Sequence, residues 1–512
     1  MSGMIDLMTD TTSGGLLLVL AIVVPVCGIM LLLALGGRFI NMVAAISFTA
    51  SFAIAVAVFL TVYGRGAPVV YVVGDWLPPL GIALRADGIS AAMMLVTAIV
   101  ICAIGFFARG EFGQPKDAPE ARLPFVFWAL LLAIWSALNV IFVSGDLFNL
   151  YVALELLTFA AVPLVCLKGG EATLRAALRY LLFALLGSML YLLGVALLFG
   201  TYGTLDIALL SQRVAPEPVT WIAAALMTLG LLAKTALFPL HLWLPPAHAG
   251  APPAGSAILS ALVVKGSFFL LVRLWFDAMP GLHDFAVAQL LGVMGSAAIV
   301  FGSVLALRQQ RLKLLVAYST VAQIGYLFFL FPLASGFAAA GWNDLALNDL
   351  AWTGGWLQLM SHAFAKAAMF MAAGLIAEAI GHDRIAGLGG AGRALPLTFV
   401  IFGLSGLSLM GVPPSGGFTA KWLLLLSSVM EGQWWWAIVI LTGGLLAGGY
   451  VFMVLGKAFN GSEKPVLVAQ VSRGREMVAL LLALCAVALG FLPLQPSGLL
   501  LIGRSELLGF AP

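Results

Sequence analysis

Residues 254–276 read AGSAILSALVVKGSFFLLVRLWF, an apolar run with one lysine, Lys265, near its centre and Arg273 close to its end. An α-helix rises 1.5 Å per residue, so about 20 apolar residues are needed to cross the hydrocarbon core of a bilayer. A run of this length that is apolar on all sides is typical of a membrane span. The stretch therefore predicts a transmembrane helix with a charge buried in its middle.

The composition of the whole chain indicates the same class of protein. Of 512 residues, 62% are hydrophobic and only 9% are charged, whereas a soluble domain has about 25% charged residues. So few charges cannot cover a water-facing surface, and lipid must be the main solvent. The net charge of +3 reflects the loops between apolar runs, so we expect no nucleic-acid partner.

Similar apolar runs recur along the chain and predict an all-α membrane protein of about fourteen transmembrane helices. The first run has no basic leader and no convincing cleavage site, so we expect helix 1 there and not a removed signal peptide. The seventh run continues into Pro239, Pro245 and Pro246, and the twelfth contains Pro413 and Pro414. Proline breaks helices, and a membrane tolerates a broken helix only against protein or water. The predicted spans are 15–35, 39–63, 87–107, 124–143, 147–167, 173–200, 219–238, 254–276, 288–307, 312–335, 355–380, 398–430, 435–457 and 477–495.

The basic residues of the loops predict the orientation. Of the 25 Lys and Arg residues, sixteen fall on one face and five on the other, and the excess should be cytoplasmic. Both termini are then periplasmic in a bacterial inner membrane. The sixteen are Arg38, Arg109, Lys116, Arg122, Lys168, Arg175, Arg179, Arg308, Arg311, Lys313, Arg384, Arg393, Lys457, Lys464, Arg473 and Arg475, and the five are Arg65, Arg85, Arg213, Arg273 and Arg504.

The remaining four lysines, Lys234, Lys265, Lys366 and Lys421, lie inside predicted spans. A charge at mid-bilayer costs roughly 2.5–3.5 kcal/mol on insertion scales, so such residues mark a polar interior with a function. Snorkelling to the headgroups stays an alternative for Lys234, which precedes the first proline break by five residues. Among the acids, Glu155 lies well inside the fifth span.

A carboxylate among buried lysines is typical of a proton relay. Burial lowers the pKa of a lysine and a nearby carboxylate raises it again, so small movements can load or unload a proton. Histidine titrates near neutral pH without such tuning. His241 and His248 flank the first break, and His362 lies one helical turn before Lys366 on the same face. We expect His283 and His382 to lie in solvated loops.

Cofactor and metal sites are not expected. The four cysteines (Cys27, Cys102, Cys166 and Cys485) are scattered singly through apolar stretches, whereas zinc and iron–sulfur sites need clustered thiolates. We interpret them as small buried hydrophobic residues. No glycine-rich phosphate-binding motif is visible, and the chain shows no catalytic chemistry of its own.

Five motifs follow one another between about residues 85 and 460. They are GDLFNL (145–150) followed by Glu155; Lys234 with FPLH (238–241) and WLP (243–245); AYSTVAQIGY (317–326); SHAFAKA (361–367); and GVPPSGGF (411–418) with Lys421. In this order they resemble the proton-conducting antiporter-like subunits shared by respiratory complex I, membrane-bound hydrogenases and Mrp-type cation/proton antiporters. GDLFNL is most similar to the D-type subunits of Mrp antiporters, whereas AHAGAPPAGS (247–256) is closer to the complex I and hydrogenase branch.

The resemblance implies a division of the chain and a set of functional residues. Two inverted five-helix repeats would cover spans 4–8 and 9–13, with broken helices 7 and 12. The expected units are 1–120, 121–280, 281–460 and 461–512. Glu155 resembles the acid that pairs with Lys234, Lys265 the central lysine of the eighth helix, and Lys421 the residue at the far end.

The predicted function is therefore proton translocation by one membrane subunit of a larger complex, with exchange for Na⁺ or another cation. A proton-pumping subunit of a complex I-like NADH-quinone oxidoreductase or membrane-bound hydrogenase is the alternative within the class. From other classes, a stand-alone solute transporter and a membrane scaffold stay open. A scaffold should tolerate loss of the buried lysines. The expected partners are other membrane subunits, protons and lipid.

Overall fold

The computed structural model describes residues 11–36, 39–113, 122–334, 344–461, 467–491 and 498–504, without the side chains of 344–347. Most of these residues are helical, and the longer helices, with one pair of shorter ones, form fourteen spans. Numbered in chain order as spans 1–14, they are Leu16–Leu35, Ile40–Arg65, Gly88–Phe112, Arg122–Val143, Leu147–Val165, Glu171–Tyr202, Pro218–Gly250, Pro253–Ala278, Phe285–Leu307, Leu312–Leu333, Asp344–Ile380, the pair Pro396–Met410 and Gly416–Met430, Trp434–Phe459 and Arg473–Phe491.

The predicted all-α membrane fold is confirmed. In the described part of the chain, thirteen helices are long and apolar enough to cross a membrane, and two shorter apolar helices form the interrupted span 12. Span 3 ends at Phe112, later than predicted, and span 11 begins at Asp344 instead of 355. The start of span 11 is polar, which hides it from a hydropathy window. Residues 492–497, where the predicted fourteenth span ends, lie outside the described residues, as do Arg38, Lys116 and Lys464.

The loops lie on two opposite faces. One face carries an antiparallel hairpin, β1 (Val69–Val72) with β2 (Ala83–Ala86), and the short helix Ile207–Arg213; we call it the hairpin face. The backbone N–H of Thr12 donates to Val70 O at 2.9 Å, and the N–H of Gly88 donates to Ile502 O at 3.1 Å. Both ends of the described chain therefore lie on the hairpin face.

The opposite face is the basic face, defined by Arg311, Arg384, Arg473 and Lys168. Arg311 and Arg384 form an isolated bridge between the loops that follow spans 9 and 11. Lys168, after span 5, pairs with Glu111 at the end of span 3. Contacts between these loops, all of which follow odd-numbered spans, agree with a chain that crosses from face to face at each span.

Glycines bring spans 6 and 7 into backbone contact. A Cβ on Gly187 would lie 2.7 Å from Gly230 O, and one on Gly230 would lie 2.2 Å from Gly187 O. Small residues at such crossings let membrane helices approach closely. A Cβ on Gly187 would also lie 3.3 Å from Cγ of Lys234, so this crossing packs against the stem of a buried lysine.

Span 8 is the most deeply buried region that carries charge. Its helix contains two π-helical segments, Leu259–Val263 and Arg273–Ala278, on either side of the α-helical segment Val264–Val272. Short π-helical segments are frequent at functional sites because the extra residue per turn redirects side chains and carbonyls. Nothing in the apolar pattern of this run indicates the irregularity, so the sequence predicts an ordinary α-helix there.

Candidate proton pathway

The break in span 7 comes directly after Lys234. The helix Pro218–Thr235 ends where Ala236 adopts a left-handed backbone (φ +58°). The indole Nε1 of Trp243 then donates to the freed carbonyl of Ala233 at 2.9 Å. Pro239 lies in this break, whereas Pro245 and Pro246, also predicted as helix breaks, lie in the first turn of the next helix, Leu244–Gly250. Proline is tolerated in a first turn, where its missing N–H is not needed.

Lys234 is buried, not snorkelling, and it contacts Glu155. Its ammonium Nζ lies 3.4 Å from Glu155 Oε1 and also donates to Thr158 Oγ1 at 2.9 Å and to the carbonyl of Leu154 at 3.3 Å. The side chains are 7% (Lys234) and 14% (Glu155) exposed. The predicted partners are thus within ion-pair distance, on spans 7 and 5.

A pair of hydroxyl groups links this site to span 8. Thr235 Oγ1, next to Lys234 in the chain, lies 3.1 Å from Ser267 Oγ. Lys234, Thr158 and Ser267 also line one small cavity. Ser267 is two residues from Lys265, so the Glu155–Lys234 pair is continuous with the middle of span 8.

Lys265 is fully buried, and its Nζ donates to the carbonyl of Ser260 inside the same helix. That carbonyl belongs to the first π-helical segment. Among the described residues, Lys265 forms no ion pair with a carboxylate. It is a mid-membrane lysine held by a neutral oxygen.

A short polar path joins Lys265 to Lys366 across span 10. Ser260 Oγ lies 2.9 Å from Thr320 Oγ1, which donates to Val316 O at 3.0 Å. Nζ of Lys366 donates to the same carbonyl at 3.1 Å and to Ser319 Oγ. Lys366 is fully buried too, and in the described chain it has no carboxylate partner. The two lysines therefore lie at opposite ends of a line of polar groups, which consists of the carbonyl and hydroxyl of Ser260, the hydroxyl of Thr320 and the carbonyl of Val316.

His362 and His248 lie beside these lysines. Lys265, Lys366 and Lys421 act electrostatically on His362, and Lys313, Lys366 and Lys265 act on His248. The His248 ring stacks on Phe370 with centroids 4.6 Å apart. The ring nitrogens of both histidines are buried and have no hydrogen-bond partner among the described residues. Both predicted histidines therefore lie near the buried lysines.

Lys421 lies at the break in span 12. The first half ends at Met410, Gly411 has φ +81°, and Ser415 caps the second half by accepting from Phe418 N–H at 3.1 Å. The ammonium of Lys421 reaches back across this break and donates to Leu409 O at 2.5 Å. Pro413 and Pro414 fall between the two half-helices, so the predicted position of this break is correct.

Glutamine amides connect Lys421 with span 11. The side chain of Gln323 donates to the same Leu409 carbonyl at 3.0 Å, and Gln358 donates to Gln323 Oε1 at 3.0 Å. Gln358, His362 and Lys366 are spaced four residues apart, so they line one stripe of the helix. Nζ of Lys421 also lies 4.1 Å from the centroid of the Tyr326 ring, a favourable cation–π distance.

His241 is the predicted site residue that the structure leaves apart. It is buried at the span 7 break, between Phe238 (centroids 5.5 Å apart) and Phe301 (5.3 Å). No hydrogen bond joins it to a lysine in the parts of the chain described. His283 lies in a loop, as predicted, but it is only partly exposed because its ring packs on Trp275 and Phe276. His382 is exposed in its loop, as predicted.

Three charged residues near the hairpin face were not predicted from the sequence as a site. Arg273 is counted among the five basic residues of the second face, at the end of the predicted span 254–276, but it lies inside span 8 with its side chain 12% exposed. It pairs with Asp87 (2.6 Å) and Asp277 (2.5 Å), and it donates to Ser90 Oγ at 2.9 Å. We call Asp87, Arg273 and Asp277 the Arg273 cluster. The signal that could have found it is the Arg–Asp spacing of four residues at 273 and 277, which places both on one helical face.

Asp87 shows how neighbouring charges offset the cost of burial in this cluster. Burial disfavours its charged form, but the Arg273 guanidinium, with help from Arg85 and the Ser90 N–H, outweighs burial and holds the pKa of this carboxyl below its usual value. Asp87 also caps span 3 by accepting from Ser90 N–H at 3.0 Å. It therefore stays ionised at neutral pH.

No metal site was predicted. In the described ranges, no three His, Cys, Asp or Glu side chains lie close enough together to hold a metal ion. The polar side chains that lie along the line of buried lysines carry ammonium, hydroxyl, amide and imidazole groups, and Glu155 is the carboxylate at one end.

Sequence comparisons find relatives over most of the chain. The family described as "NADH:quinone oxidoreductase/Mrp antiporter, TM" matches residues 144–447. The N subunit of the NADH-quinone oxidoreductase of Desulforudis audaxviator is 35% identical over 81% of this chain and 80% of its own length. The D subunit of the Na⁺/H⁺ antiporter of Bacillus subtilis is 28% identical over 79% of this chain and 78% of its own length.

A solved structure agrees with the sequence relatives. A chain of the Mrp complex from Dietzia sp. DQ12-45-1b superimposes with a TM-score of 0.85 at 26% identity, covering 97% of this chain and 98% of that one. The family match exceeds half of the chain and includes every residue of the polar path described above. The chain therefore belongs to the NADH:quinone oxidoreductase/Mrp antiporter family of transmembrane proteins, as an antiporter-like membrane protein with many spans.

Proposed function

We propose that this chain translocates protons along a line of buried titratable groups, as one subunit of a multisubunit membrane complex. The complex would exchange protons for Na⁺ or another monovalent cation. We call this line the lysine axis. Its members, in order, are Glu155, Lys234, Lys265 with His248, Lys366 with His362, and Lys421.

The observation that carries the proposal is the connected pair of Lys265 and Lys366. Both are fully buried, and in the described structure both are held by neutral oxygens on a shared hydrogen-bonded path. A permanent buried cation would need a compensating carboxylate. A lysine that alternates between ammonium and amine does not need one, and it can take up and release a proton. Because backbone carbonyls only accept hydrogen bonds, transfer between the two lysines requires bridging water.

The ends of the axis differ from its middle. Glu155 lies 3.4 Å from Lys234, so a shift of either helix changes how strongly this lysine holds its proton. The interruptions beside Lys234 and Lys421 give those helices freedom to move, as in transporters with discontinuous helices. His248 and His362 have ring nitrogens that can accept and donate protons. Buried ring nitrogens normally have partners, so we infer that water molecules bridge them to the lysines.

Lys265→Met is the substitution that tests this function. Methionine keeps most of the length of the side chain but cannot carry a proton. We expect normal assembly, with flux lowered at least about a hundredfold, within the range attributed to a lost acid–base group. Cation-driven proton flux in everted vesicles, with the amount of assembled complex measured in parallel, gives the result. Lys457→Met, at an exposed lysine in span 13, is the matched control and should change neither quantity.

Lys265→Arg distinguishes charge from proton exchange. Guanidinium keeps the positive charge but does not release its proton at accessible pH, so flux should be lost here as well. Full flux in a correctly assembled Lys265→Met complex would refute the proposed function and favour a scaffold.

A second candidate is redox-driven proton pumping within an NADH-quinone oxidoreductase. The 35% identity to the N subunit of such an enzyme favours it over a solute transporter. The driving force separates the two candidates. Antiport should respond to an imposed Na⁺ gradient without an electron donor, whereas a pump should move protons only during NADH oxidation.

We further propose that the hairpin face is periplasmic in a bacterial inner membrane. Support comes from the sixteen-to-five distribution of basic residues, which puts the basic face in the cytoplasm. With a membrane-impermeant maleimide added from the periplasm, Arg213→Cys should be labelled, and Arg311→Cys and Arg473→Cys should not. The reverse pattern would invert this orientation.

A further inference from the structure

A cavity of about 440 Å³ opens on the hairpin face. The short helix Ile207–Arg213 forms one wall through Ala208 and Gln212, and Arg85 of β2 lies on another. The walls also include Arg273 and Asp277, so the cavity reaches the Arg273 cluster. It is large enough for several water molecules, since each occupies about 30 Å³ in the liquid.

The Arg273 cluster shares one helical stripe with Lys265. Lys265, Phe269, Arg273 and Asp277 follow each other at intervals of four residues along span 8, so they lie roughly one above the other. The stripe runs from the centre of the lysine axis to the wall of the cavity. Phe269 is the residue of the stripe that lies between the two charged regions.

Phe269 belongs to a buried aromatic group. Its ring centroid lies 5.1 Å from that of Phe142 and 5.7 Å from that of Trp356, and the Arg273 guanidinium lies 4.9 Å from its centroid. Phe142 also lines the cavity. We call Phe142, Phe269 and Trp356 the aromatic barrier. All three are at most 2% exposed, and Phe269 lies between Arg273, on the cavity wall, and Lys265 along span 8.

We propose that this cavity is the access route between Lys265 and the hairpin face, and that the aromatic barrier is where the route closes. The inference rests on the proposed function, because it gives the lysine axis an opening to one side of the membrane. The charged side chains of the Arg273 cluster make the inner end of the route polar. Rotation of the Phe269 ring then lets water connect the cluster with Lys265.

A purely structural role for the cluster explains less of this geometry. An ion cluster that only fastened spans 3 and 8 together would not need an open cavity against its arginine. It would not need to share a stripe with the central lysine either. Polar groups on either side of a buried aromatic group are what hydrophobic gating requires.

Blocking the cavity is the direct test. Ala208→Cys places a thiol on the cavity wall, and Ser211→Cys places one on the same short helix, away from the residues that line the cavity. Assembled complex in right-side-out vesicles is treated with a bulky, membrane-impermeant sulfonated maleimide. We expect most of the flux to be lost in Ala208→Cys and little change in Ser211→Cys or in the parent chain with its four native cysteines. Everted vesicles repeat the test from the other side.

Opening the barrier is the second test. Phe269→Ala should make vesicles that contain the complex lose an imposed pH gradient several-fold faster than vesicles with the parent complex, without any added cation. In the double variant with Ala208→Cys, the maleimide should abolish this leak. The leak is a passive permeability, so it can be measured whether or not the complex exchanges cations.

The outcomes of these tests are distinguishable. Inhibition of Ala208→Cys from one side supports the route and identifies the face on which it opens. Complete labelling of Ala208→Cys with full flux retained would overturn the route, even if Lys265→Met had already blocked transport. An assembled parent complex without any proton flux would instead refute the proposed function and leave the leak measurement to decide on the barrier.

Discussion

Lys265, which is fully buried, and Arg273, whose side chain is 12% exposed, lie eight residues apart on one helix, and their surroundings are opposite. Arg273 contacts two carboxylates, Asp87 and Asp277, at 2.6 and 2.5 Å. Lys265 contacts the carbonyl of Ser260 and, among the described residues, no carboxylate. Burial alone therefore does not distinguish a structural charge from one that can exchange a proton.

Arg273 and Lys265 differ in whether carboxylates neutralise the charge and in the chemistry of the cation itself. Guanidinium stays protonated in proteins and forms bidentate contacts with carboxylates, which suits a fixed ion cluster. An ammonium among neutral oxygens is stable in the membrane only if it can also exist as the neutral amine. The same helix thus carries a fixed charge near the hairpin face and an exchangeable one at its centre.

The largest effect that this comparison predicts is on assembly. Arg273→Met would leave Asp87 and Asp277 buried without their cation, and breaking a buried pair in this way costs about 3–5 kcal/mol. We expect little assembled complex and a clearly lowered melting temperature in detergent. Arg213→Met, at an exposed arginine beside the same cavity, should assemble normally.

Lys265→Met should give a different result from Arg273→Met. One variant should lose assembly, and the other should assemble and lose flux. If Arg273→Met accumulated in the membrane like the parent, the ion pairs of the cluster would not be needed for assembly. The presence of neighbouring carboxylates would then not distinguish Arg273 from Lys265.

An intermediate effect is expected at the Glu155–Lys234 pair, where an exchangeable lysine has a carboxylate neighbour. Glu155→Gln keeps the shape of the side chain and removes its charge. We expect proton flux to fall about tenfold, which corresponds to about 1.4 kcal/mol, with assembly retained because Lys234 keeps Thr158 and Leu154 as acceptors. Glu171→Gln, at an exposed acid on the basic face, is the control. Unchanged flux in Glu155→Gln would mean that this carboxylate does not tune the axis.

The smallest effect is expected at His241, which has aromatic neighbours and no described hydrogen bond to the axis. His241→Phe preserves the ring and should leave proton flux within about twofold of the parent, since substitutions that conserve shape are tolerated in a packed site. His362→Phe, at a buried histidine that the charges of three lysines reach, should lower flux far more. Equal losses in the two variants would extend the axis to the span 7 break.

The class of fold and most residues of the axis follow from the amino-acid sequence alone. Apolar runs of sufficient length predict fourteen spans because a bilayer imposes one length scale on every helix. The four buried lysines stand out because a charge in an apolar run has a high insertion cost, and that cost can be judged from neighbouring residues alone. The prolines at 413 and 414 locate the break in span 12 for a similarly local reason.

Which charges are compensated depends instead on tertiary packing. Asp87 lies in a different part of the chain from Arg273 and Asp277, and no local pattern links positions so far apart. The shared carbonyl of Val316 and the π-helical segments of span 8 likewise depend on how spans 8, 10 and 11 pack. The end of the first helix of span 7 at Thr235, four residues before Pro239, depends on Trp243 folding back to Ala233. Hydropathy measures the cost of burying a charge, whereas the contacts that offset this cost come from distant helices, and packing alone brings them together.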